Sequence, residues 1–426
     1  MITRIEAYRY RCFKRLDLQL EHLHIFAGSN GSGKTTLLDI PALLGDILMV
    51  TDINDAFFAP MSGRDRARAD NPKELIHMLK GDNFTLVIEA EIPEKQQVLV
   101  QQLGPKRFRD KPELRSNTIR YEISIGIIGD KLEIKEEHLM LFNDNNRVDH
   151  GGEIQGGRFD NDDVFQVIER SNRQKAVYSA EWADKRKTKD IEFALQNERS
   201  AFASMPADEV SFPAAFWLLE FLKQGAQSYE PQWPAMRLAA SPRNKKAFKS
   251  DGSNLSWQVY ELQENSLEDL EEWIEVVKMA LPSIQNIRAN KRDDDGYCYL
   301  QVIYDNGMEV PSSSLSHGTL HIFALTILPY LNDAPKVITL EEPENGIHPK
   351  AIDAVLEALD CAPNTQLFMS THSPTVLAHT EIENIITLRF DDEGATQVLK
   401  GREHPALVDW KGDLDLGTLF AAGIFE

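Results

Sequence analysis

The chain has 426 residues, of which 42% are hydrophobic and 27% charged, the balance of a globular protein with one or two domains. Its formal net charge of −21 argues against indiscriminate binding of nucleic acid, because the phosphate backbone is held by Lys and Arg. No apolar run approaches the roughly 20 residues of a membrane span, and the cysteines (Cys12, Cys298 and Cys361) form no metal-binding or disulfide pattern. We therefore expect a cytoplasmic protein that does not bind a membrane.

The N-terminal segment is predicted to form three strands. Residues 2–8 and 16–20 alternate apolar and polar side chains around a turn at residues 11–14, and residues 23–27 form the short apolar run typical of a buried strand. An apolar helical pattern begins at Thr36, and Pro41 is predicted to kink or interrupt this helix. A glycine-rich segment therefore lies between a buried strand and a helix.

That segment, GSNGSGKT, matches the phosphate-loop pattern G-x-x-x-x-G-K-[ST] at every fixed position. Glycines let successive backbone N–H groups point at phosphate oxygens, and the following helix adds the positive end of its dipole. Lys34 is expected to reach the β- and γ-phosphates of ATP, and Thr35 to supply a hydroxyl to Mg²⁺. An ordinary Gly/Ser turn is the alternative. The residues predicted to bind the nucleotide are Gly28, Ser29, Asn30, Gly31, Ser32, Gly33, Lys34, Thr35 and Thr36.

The middle of the chain carries weaker patterns. We predict strands at residues 84–92, 118–125 and 131–140, helices at 214–221 and 267–281, and a hairpin at 297–310. A run rich in Gly, Asn and Asp predicts a mobile loop at residues 142–163. Basic clusters could face nucleic acid or an acidic partner, although such clusters are more often solvated surface; they occupy residues 64–68, 106–115, 185–189 and 243–249.

A second part of the nucleotide chemistry is predicted near the C-terminal end. Residues 336–340 form a short apolar strand that ends in Glu341 and Glu342. Glu341 occupies the position that orders the Mg²⁺ shell, and Glu342 that of the carboxylate which polarises the attacking water. Another apolar strand, residues 366–371, ends in His372, which can reach the γ-phosphate or that water from a neighbouring parallel strand. Two solvated glutamates and a structural histidine are the alternatives.

A further anion-binding turn is predicted before this acidic strand. Ser316 and Gly318 stand at the start of an apolar helix, residues 320–331, whose N-terminal end can bind an anion. Because the phosphate loop already serves one nucleotide, this turn needs another, and a head-to-tail homodimer supplies it. Each ATP would lie between the phosphate loop of one copy and the Ser316–Gly318 turn of the other. A helix that is merely capped by Ser316 is the alternative.

Four segments together resemble a known group of proteins: GSNGSGKTT, SLSHGTLHIFAL, VITLEEPENGIHP and QLFMSTHSP. In order and spacing they resemble the ABC-type ATPase heads of the SMC, RecF and OLD group, above all the compact bacterial AAA family ATPases of RecF-like type. The resemblance implies that Ser316 and Gly318 belong to the signature motif, that Asn345 and Gly346 lie in the D-loop, and that His372 is the switch histidine. It also implies that Arg11 approaches the nucleotide.

Two features depart from the pattern of this group. Glu341 stands where the Walker B acid is more commonly Asp, and no glutamine can be placed as the Q-loop residue. The resemblance implies an α/β fold, an ABC-type P-loop ATPase head with a large α+β insertion between Walker A and the signature motif. It divides the chain into the N-terminal part of the head (1–90), an insertion or lid (91–250), the C-terminal part of the head (251–390) and a C-terminal extension (391–426).

The segments attached to the head narrow the function further. No heptad array of SMC type is present, and the 52 residues after Pro374 are too few for a Toprim nuclease domain. Any effector is therefore expected to be a separate protein, as in two-gene phage-defence systems such as PARIS, in which an ATPase accompanies a Toprim-like nuclease. We expect a sensor or scaffold ATPase whose trigger is a nucleic acid or a phage protein. The alternatives are a RecF-like DNA-repair ATPase that clamps nucleic acid and, less well supported, a transporter subunit.

Overall fold

The structure is a computed structural model that describes residues 1–61, 66–103, 115–144, 164–171, 175–181, 190–245, 249–331, 334–362, 365–407 and 415–425. Its packing divides the chain into two compact units. The first unit comprises Met1–Glu21, Asp39–Ala226 and Phe390–Gln397, and the second comprises His22–Leu38, Gln227–Arg389 and Val398–Glu426. Most of the predicted mobile loop at 142–163 lies outside the described residues.

The first unit is built on one antiparallel sheet. Its strands are β1 (Ile2–Tyr10), β2 (Phe13–Gln19), β4 (Asn83–Glu91), β5 (Thr118–Ile128), β6 (Lys131–Phe142), β7 (Phe165–Ser171), β8 (Ala176–Tyr178) and β9 (Ile191–Phe193). They lie in the order β2-β1-β4-β5-β6-β7-β8-β9, and each strand is antiparallel to its neighbours. The strands predicted at residues 118–125 and 131–140 are confirmed as β5 and β6, which pair through a turn at Gly129 and Asp130.

The alternating side chains of β5 show which residues each face of this sheet buries. Ile119, Tyr121 and Ile123 are fully buried on one face, as expected for a strand that covers an apolar core. Arg120, on the other face, is also buried, and its guanidinium lies 2.7 Å from Glu6 Oε1 and 2.6 Å from Glu89 Oε1. A buried guanidinium is stable only when it is paired in this way.

Among its described residues, the first unit also carries three helices and most of a fourth. These are α1 (Lys34–Met49), α2 (Ile53–Phe58), α3 (Glu94–Leu103) and α4 (Pro213–Gly225). The predicted interruption at Pro41 is wrong, because α1 continues without a break through that residue. At Gly45 a Cβ atom would lie 2.3 Å from the carbonyl oxygen of Leu222. A glycine is therefore required where α1 approaches α4 closely.

The second unit contains the strands that hold the predicted site. Its larger sheet comprises β3 (Leu23–Gly28), β10 (Ala226–Ser228), β14 (Val337–Glu341), β15 (Gln366–Thr371), β16 (Ile385–Phe390) and β17 (Thr396–Lys400), in the order β10-β14-β15-β3-β16-β17. The central strands β14, β15, β3 and β16 are parallel. Glu341 pairs with Ser370, and Thr371 with Ala27, so the carboxyl ends of three strands lie side by side.

A smaller antiparallel sheet and seven described helices complete the second unit. The sheet has the order β11 (Ile284–Lys291), β12 (Cys298–Tyr304) and β13 (Glu309–Pro311). The helices are α5 (Trp233–Met236), α6 (Leu255–Asn265), α7 (Leu267–Ala280), α8 (His317–Thr326), α9 (Ile352–Asp360), α10 (Pro374–Ala378) and α11 (Leu416–Ala421). Trp273 of α7 packs edge-on against Phe323 of α8 at 5.7 Å and donates a hydrogen bond to Thr326 Oγ1. This contact fixes α8, which begins directly after Ser316.

The α/β fold class is confirmed. The long segment between the phosphate loop and Ser316 combines an antiparallel sheet with helices, which is the predicted α+β character. The division into residues 1–90, 91–250, 251–390 and 391–426 stays a prediction. None of the helices in the described ranges is long and apolar enough to cross a membrane.

Candidate active site

The phosphate loop joins β3 to α1 and contains two residues in the left-handed region. Gly31 has a φ of +79° and Gly33 a φ of +102°, conformations that side chains disfavour. Lys34 is buried, and its Nζ donates to the carbonyl oxygens of Gly28 at 2.8 Å and Ser29 at 3.0 Å. Burial lowers the pKa of Lys34, and the nearby carboxylates Glu342 and Glu341 oppose that shift. A buried ammonium at the start of a helix is suited to an anionic ligand.

Thr35 and Glu341 form a hydroxyl–carboxylate pair beside this loop. Thr35 Oγ1, in the first turn of α1, donates to Glu341 Oε2 at 2.9 Å, at the end of β14. Among the described residues, no group of three or more His, Cys, Asp or Glu side chains is arranged to hold a metal ion. Mg²⁺ keeps several waters and binds one or two carboxylates together with substrate phosphates. The Thr35–Glu341 pair therefore fits Mg²⁺ that arrives with a nucleotide.

Glu342 has a strained backbone and a held side chain. Its φ of +44° is uncommon for a residue with a side chain and costs about 1–2 kcal/mol. Its N–H donates to Ser370 O at 3.0 Å, and its Oε2 accepts a hydrogen bond from Asn345 Nδ2 at 2.8 Å. The other carboxylate oxygen, Oε1, lies 3.8 Å from Nε2 of His372. Backbone strain of this kind is found at functional sites, where the surrounding structure maintains it.

His372 follows β15 and is held at its backbone. Burial lowers the pKa of its imidazole, Lys34 lowers it further, and Glu342 opposes the shift. The ring is therefore neutral at neutral pH. Thr371 Oγ1 donates to Glu344 Oε1 at 2.5 Å and accepts from the N–H of Ser373 at 2.9 Å. These bonds fix the backbone on both sides of His372.

Glu344 is a residue that the sequence analysis did not identify. Besides Thr371, its Oε1 accepts a long hydrogen bond of 3.4 Å from the N–H of His372. Burial raises the pKa of Glu344, and Thr371 opposes this. The signal in the sequence that could have indicated Glu344 is its position as a third acidic residue, directly after Glu341, Glu342 and Pro343. Its partners could not be identified without the pairing of β14 and β15.

Ser316 caps α8, as the simpler of the two predictions for this turn requires. Its Oγ accepts from the N–H of Thr319 at 3.1 Å, and the side chain is exposed. A Cβ atom at Gly318 would lie 2.6 Å from the carbonyl oxygen of Gly346, so the turn packs closely against the segment after β14. The predicted contact of Ser316 and Gly318 with the nucleotide of a second copy stays a prediction.

Arg11 belongs to the first unit, and its surroundings there are distinctive. It has a φ of +50°, its Nη2 donates to Arg68 O at 2.6 Å, and its guanidinium lies 5.7 Å from the centre of the Tyr10 ring. It lines a cavity of about 360 Å³ with Arg68, Glu74, Ile76, Met78 and Leu79. Its predicted approach to the nucleotide stays a prediction.

The second unit thus brings together most of the residues predicted from the sequence. Lys34, Thr35, Glu341, Glu342 and His372 meet where three parallel strands end. The remaining loop residues complete the turn between β3 and α1, in which Ser32 is fully buried and Asn30 exposed. This is the edge at which open parallel sheets bind ligands. This arrangement places groups suited to a phosphate chain and to a divalent cation next to the carboxylate of Glu342.

Comparison with solved structures finds SMC heads. The chain is 12% identical to an Smc head bound to the C-winged helix domain of ScpA, with a TM-score of 0.48 and 93% and 96% of the two chains covered. It is 11% identical to an Smc head with an extended coiled coil bound to the C-terminal domain of ScpA, from Pyrococcus furiosus. Here the TM-score is 0.43, and 93% of this chain and 95% of that chain are covered. It is 8% identical to the SMC head domain from Thermotoga maritima, with a TM-score of 0.37 and with 94% of this chain and 98% of that chain covered.

Comparison with protein families places the chain more directly. A search of the curated proteins found no match. Residues 23–378 match the family described as "AAA domain, putative AbiEii toxin, Type IV TA system". The matched region contains the phosphate loop, Ser316, Gly318, both acids of the 341–342 pair and His372. Because the match spans most of the chain, this protein belongs to that AAA-domain family.

Proposed function

We propose that this protein is an ATPase that binds ATP with Mg²⁺ and hydrolyses it to ADP and phosphate. The observation that carries the proposal is the meeting of a phosphate loop, the Thr35–Glu341 pair, Glu342 and His372 at the carboxyl ends of three parallel strands. Membership of an AAA-domain family supports it. Each of these parts has a role in phosphoryl transfer to water.

The residues divide the chemistry between them. Lys34 turns its ammonium from the carbonyl oxygens of Gly28 and Ser29 to the β- and γ-phosphates. Thr35 and Glu341 would hold Mg²⁺, which would neutralise developing charge on the phosphate oxygens. Glu342 orients the attacking water and accepts its proton. His372 is neutral because burial lowers its pKa, so it can hydrogen-bond to that water or to the γ-phosphate without adding charge.

We further propose that ATP joins two copies of the chain head to tail. The support is the exposed Ser316 at the start of α8, whose N-terminal end favours an anion. Each nucleotide would then lie between the phosphate loop of one copy and the Ser316–Gly318 turn of the other. Binding would drive pairing, and hydrolysis would release it.

At the cellular level we propose a sensor or scaffold that controls a separate effector in anti-phage defence, a Toprim-like nuclease. The support is the resemblance to OLD-like and RecF-like ATPases of two-gene defence systems, together with a family description that includes a toxin system. Capture of an effector from native cells tests this role. Tight DNA binding by the chain alone at physiological salt, with a steep salt dependence, would instead favour a DNA-repair ATPase that clamps nucleic acid.

The ATPase proposal is tested by Glu342→Gln. The amide keeps the size of the side chain and one acceptor oxygen but cannot take a proton. We expect unchanged Mg·ATP binding and a loss of phosphate release of roughly two orders of magnitude or more. Glu357→Gln makes the same chemical change on the exposed side of α9 and serves as the matched control. Normal turnover in the Glu342 variant would reject the assignment.

A further inference from the structure

Glu342 is connected to helix α8 by two hydrogen bonds in series. The side chain of Asn345 donates from Nδ2 to Glu342 Oε2 at 2.8 Å, and its N–H donates to Glu342 O at 2.9 Å. The carbonyl oxygen of Asn345 lies 2.9 Å from Nδ1 of His321, on α8. Because a carbonyl only accepts, Nδ1 is the protonated nitrogen of this ring.

His321 is an unusual residue for its position. It is 8% exposed and belongs to an apolar helix, next to Leu320 and Ile322 in the core. Burial lowers the pKa of its imidazole, and the neighbouring His317 contributes in the same direction. A neutral, buried imidazole needs a partner for its N–H, and Asn345 O provides one. An apolar side chain would satisfy the core but would leave Asn345 without this contact.

The contacts around this pair leave little space for independent movement. His317 stacks on His321 with ring centres 5.5 Å apart and an angle of 20° between the planes. A Cβ atom at Gly346 would lie 2.9 Å from the His317 ring, and one at Gly318 would lie 2.6 Å from Gly346 O. The Ser316–Gly318 turn and residues 345–346 therefore pack as one close-fitting group. A shift of the turn must move Asn345 with it.

We propose that His321 is a positioning residue, which holds Asn345 so that the amide of Asn345 orients Glu342 for hydrolysis. This inference rests on the ATPase function proposed above. It links Glu342, through hydrogen bonds to Asn345 and His321, to helix α8, which begins at the Ser316–Gly318 turn of the same chain. Where a second copy binds this turn, as proposed above, a movement of α8 would reach the carboxylate through His321 and Asn345. In this role His321 acts through Asn345 and not on the nucleotide.

Two substitutions at His321 separate its hydrogen bond from its bulk. His321→Phe keeps a ring of similar size but removes the N–H donor. His321→Asn is smaller but places an amide nitrogen where Nδ1 stood. We expect His321→Phe to lower the kcat of ATP hydrolysis roughly tenfold or more with little change in KM, as for other outer-shell partners of active-site groups. His321→Asn should restore a substantial part of that kcat, which a purely structural role would not produce.

Asn345→Ala keeps the test decisive if the buried variants fold poorly, because Asn345 is exposed. It should lower kcat to a similar extent, and its effect should not add to that of His321→Phe, since both break one path. Full kcat in Asn345→Ala would overturn the inference. Equal losses in His321→Phe and His321→Asn would also overturn it. Two controls assayed alongside separate the proposals: failure of the wild-type chain to hydrolyse ATP would reject the ATPase function, whereas a fully active His321→Phe beside an inactive Glu342→Gln would reject only the positioning role.

Discussion

The buried ammonium of Lys34 suits an anionic ligand, but burying it costs local stability. The residue is 7% exposed, and its ammonium donates hydrogen bonds to two backbone carbonyls. Burial lowers its pKa, which means that the fold disfavours the charged form, although the carboxylates nearby reduce that effect. A polyphosphate would supply the opposite charge in the same small volume. The cost of burying Lys34 is therefore offset when the nucleotide binds.

Lys34→Ala should weaken ATP binding by at least about 100-fold, because a charge-assisted hydrogen bond contributes about 3 kcal/mol. Calorimetric titration with Mg·ATP measures the affinity. Lys350→Ala removes an exposed lysine from the same unit and should leave the affinity as it is in the wild type. If the Lys34 variant bound ATP normally, the phosphate-loop assignment would be wrong.

His24 should make stability depend on pH. It lies in β3, is 2% exposed beside Phe26 and Phe368, and has a pKa lowered by burial to about 4 from 6.5. Between these values the unfolded chain binds a proton that the folded chain does not, so this contribution is complete above pH 6.5 and is lost as pH falls toward 4. From pH 7 to pH 5 the loss is about 2 kcal/mol.

His24→Phe removes this titration while keeping an aromatic ring between its neighbours. The free energy of urea-induced unfolding, measured at pH 7 and pH 5, should fall less in the variant than in the wild type by about 2 kcal/mol. The other histidines titrate alike in both proteins, so the comparison isolates His24. An identical fall in the two proteins would show that His24 is not the group responsible.

At the scale of helices and strands, the sequence predicted those elements whose signals are local. Strands β3, β14 and β15 are short apolar runs bounded by Gly, Pro or acidic residues, and the β5–β6 hairpin carries its own turn. Elements that depend on distant partners were missed. Strands β7 to β9 acquire their conformation by pairing at the edge of a large sheet, and β11 by pairing with β12.

The same distinction applies to the site. Lys34, Glu341, Glu342 and His372 follow from motifs, since each stands next to its own strand in the sequence. Glu344 could not be identified, because its role depends on Thr371, which lies on a different strand. Pro41 was predicted to kink or interrupt α1 from local geometry alone, yet the helix continues through it. Packing against other elements outweighs one lost backbone hydrogen bond there.

Glu137 ties β6 to the loop at residues 200–202. Its carboxylate is fully buried and accepts hydrogen bonds from Ser200 Oγ, Ala201 N, Phe202 N and Tyr121 OH, at 2.6 to 3.0 Å. All four partners donate hydrogen bonds to the carboxylate. Glu137→Gln replaces one of its acceptor oxygens with an amide nitrogen, which is itself a donor. We expect a loss of about 2–4 kcal/mol in the free energy of unfolding. Glu169→Gln, on an exposed position of β7, should change it little, and equal effects of the two would contradict this account.

At the scale of the whole molecule, the proposed pairing of two copies through ATP is tested at Ser316. Ser316→Arg places a bulky side chain where a second copy's nucleotide should lie, while the phosphate loop of the same chain is unchanged. In a Glu342→Gln background, which the proposed mechanism predicts to retain ATP, we expect normal ATP binding but no increase in molecular mass on adding Mg·ATP. Sedimentation or light scattering measures the mass.

Ser313→Arg is the matched control, because Ser313 is exposed and lies three residues before the turn. It should pair as the parent protein does. Pairing of the Ser316 variant at normal ATP concentration would mean that Ser316 only caps α8. If other surfaces keep the chains together without ATP, site-directed cross-linking across the Ser316 turn replaces the mass measurement.

The left-handed backbone of Glu342 has a consequence for how such a protein changes over time. Glycine adopts that conformation most readily, and asparagine tolerates it, so folding alone would select against a glutamate here. On the proposed function, selection for hydrolysis is what retains the carboxylate. A lineage that kept nucleotide binding but no longer needed turnover would gain stability by losing this one side chain. Inactive descendants of this site should therefore keep Lys34 and carry a small residue at position 342.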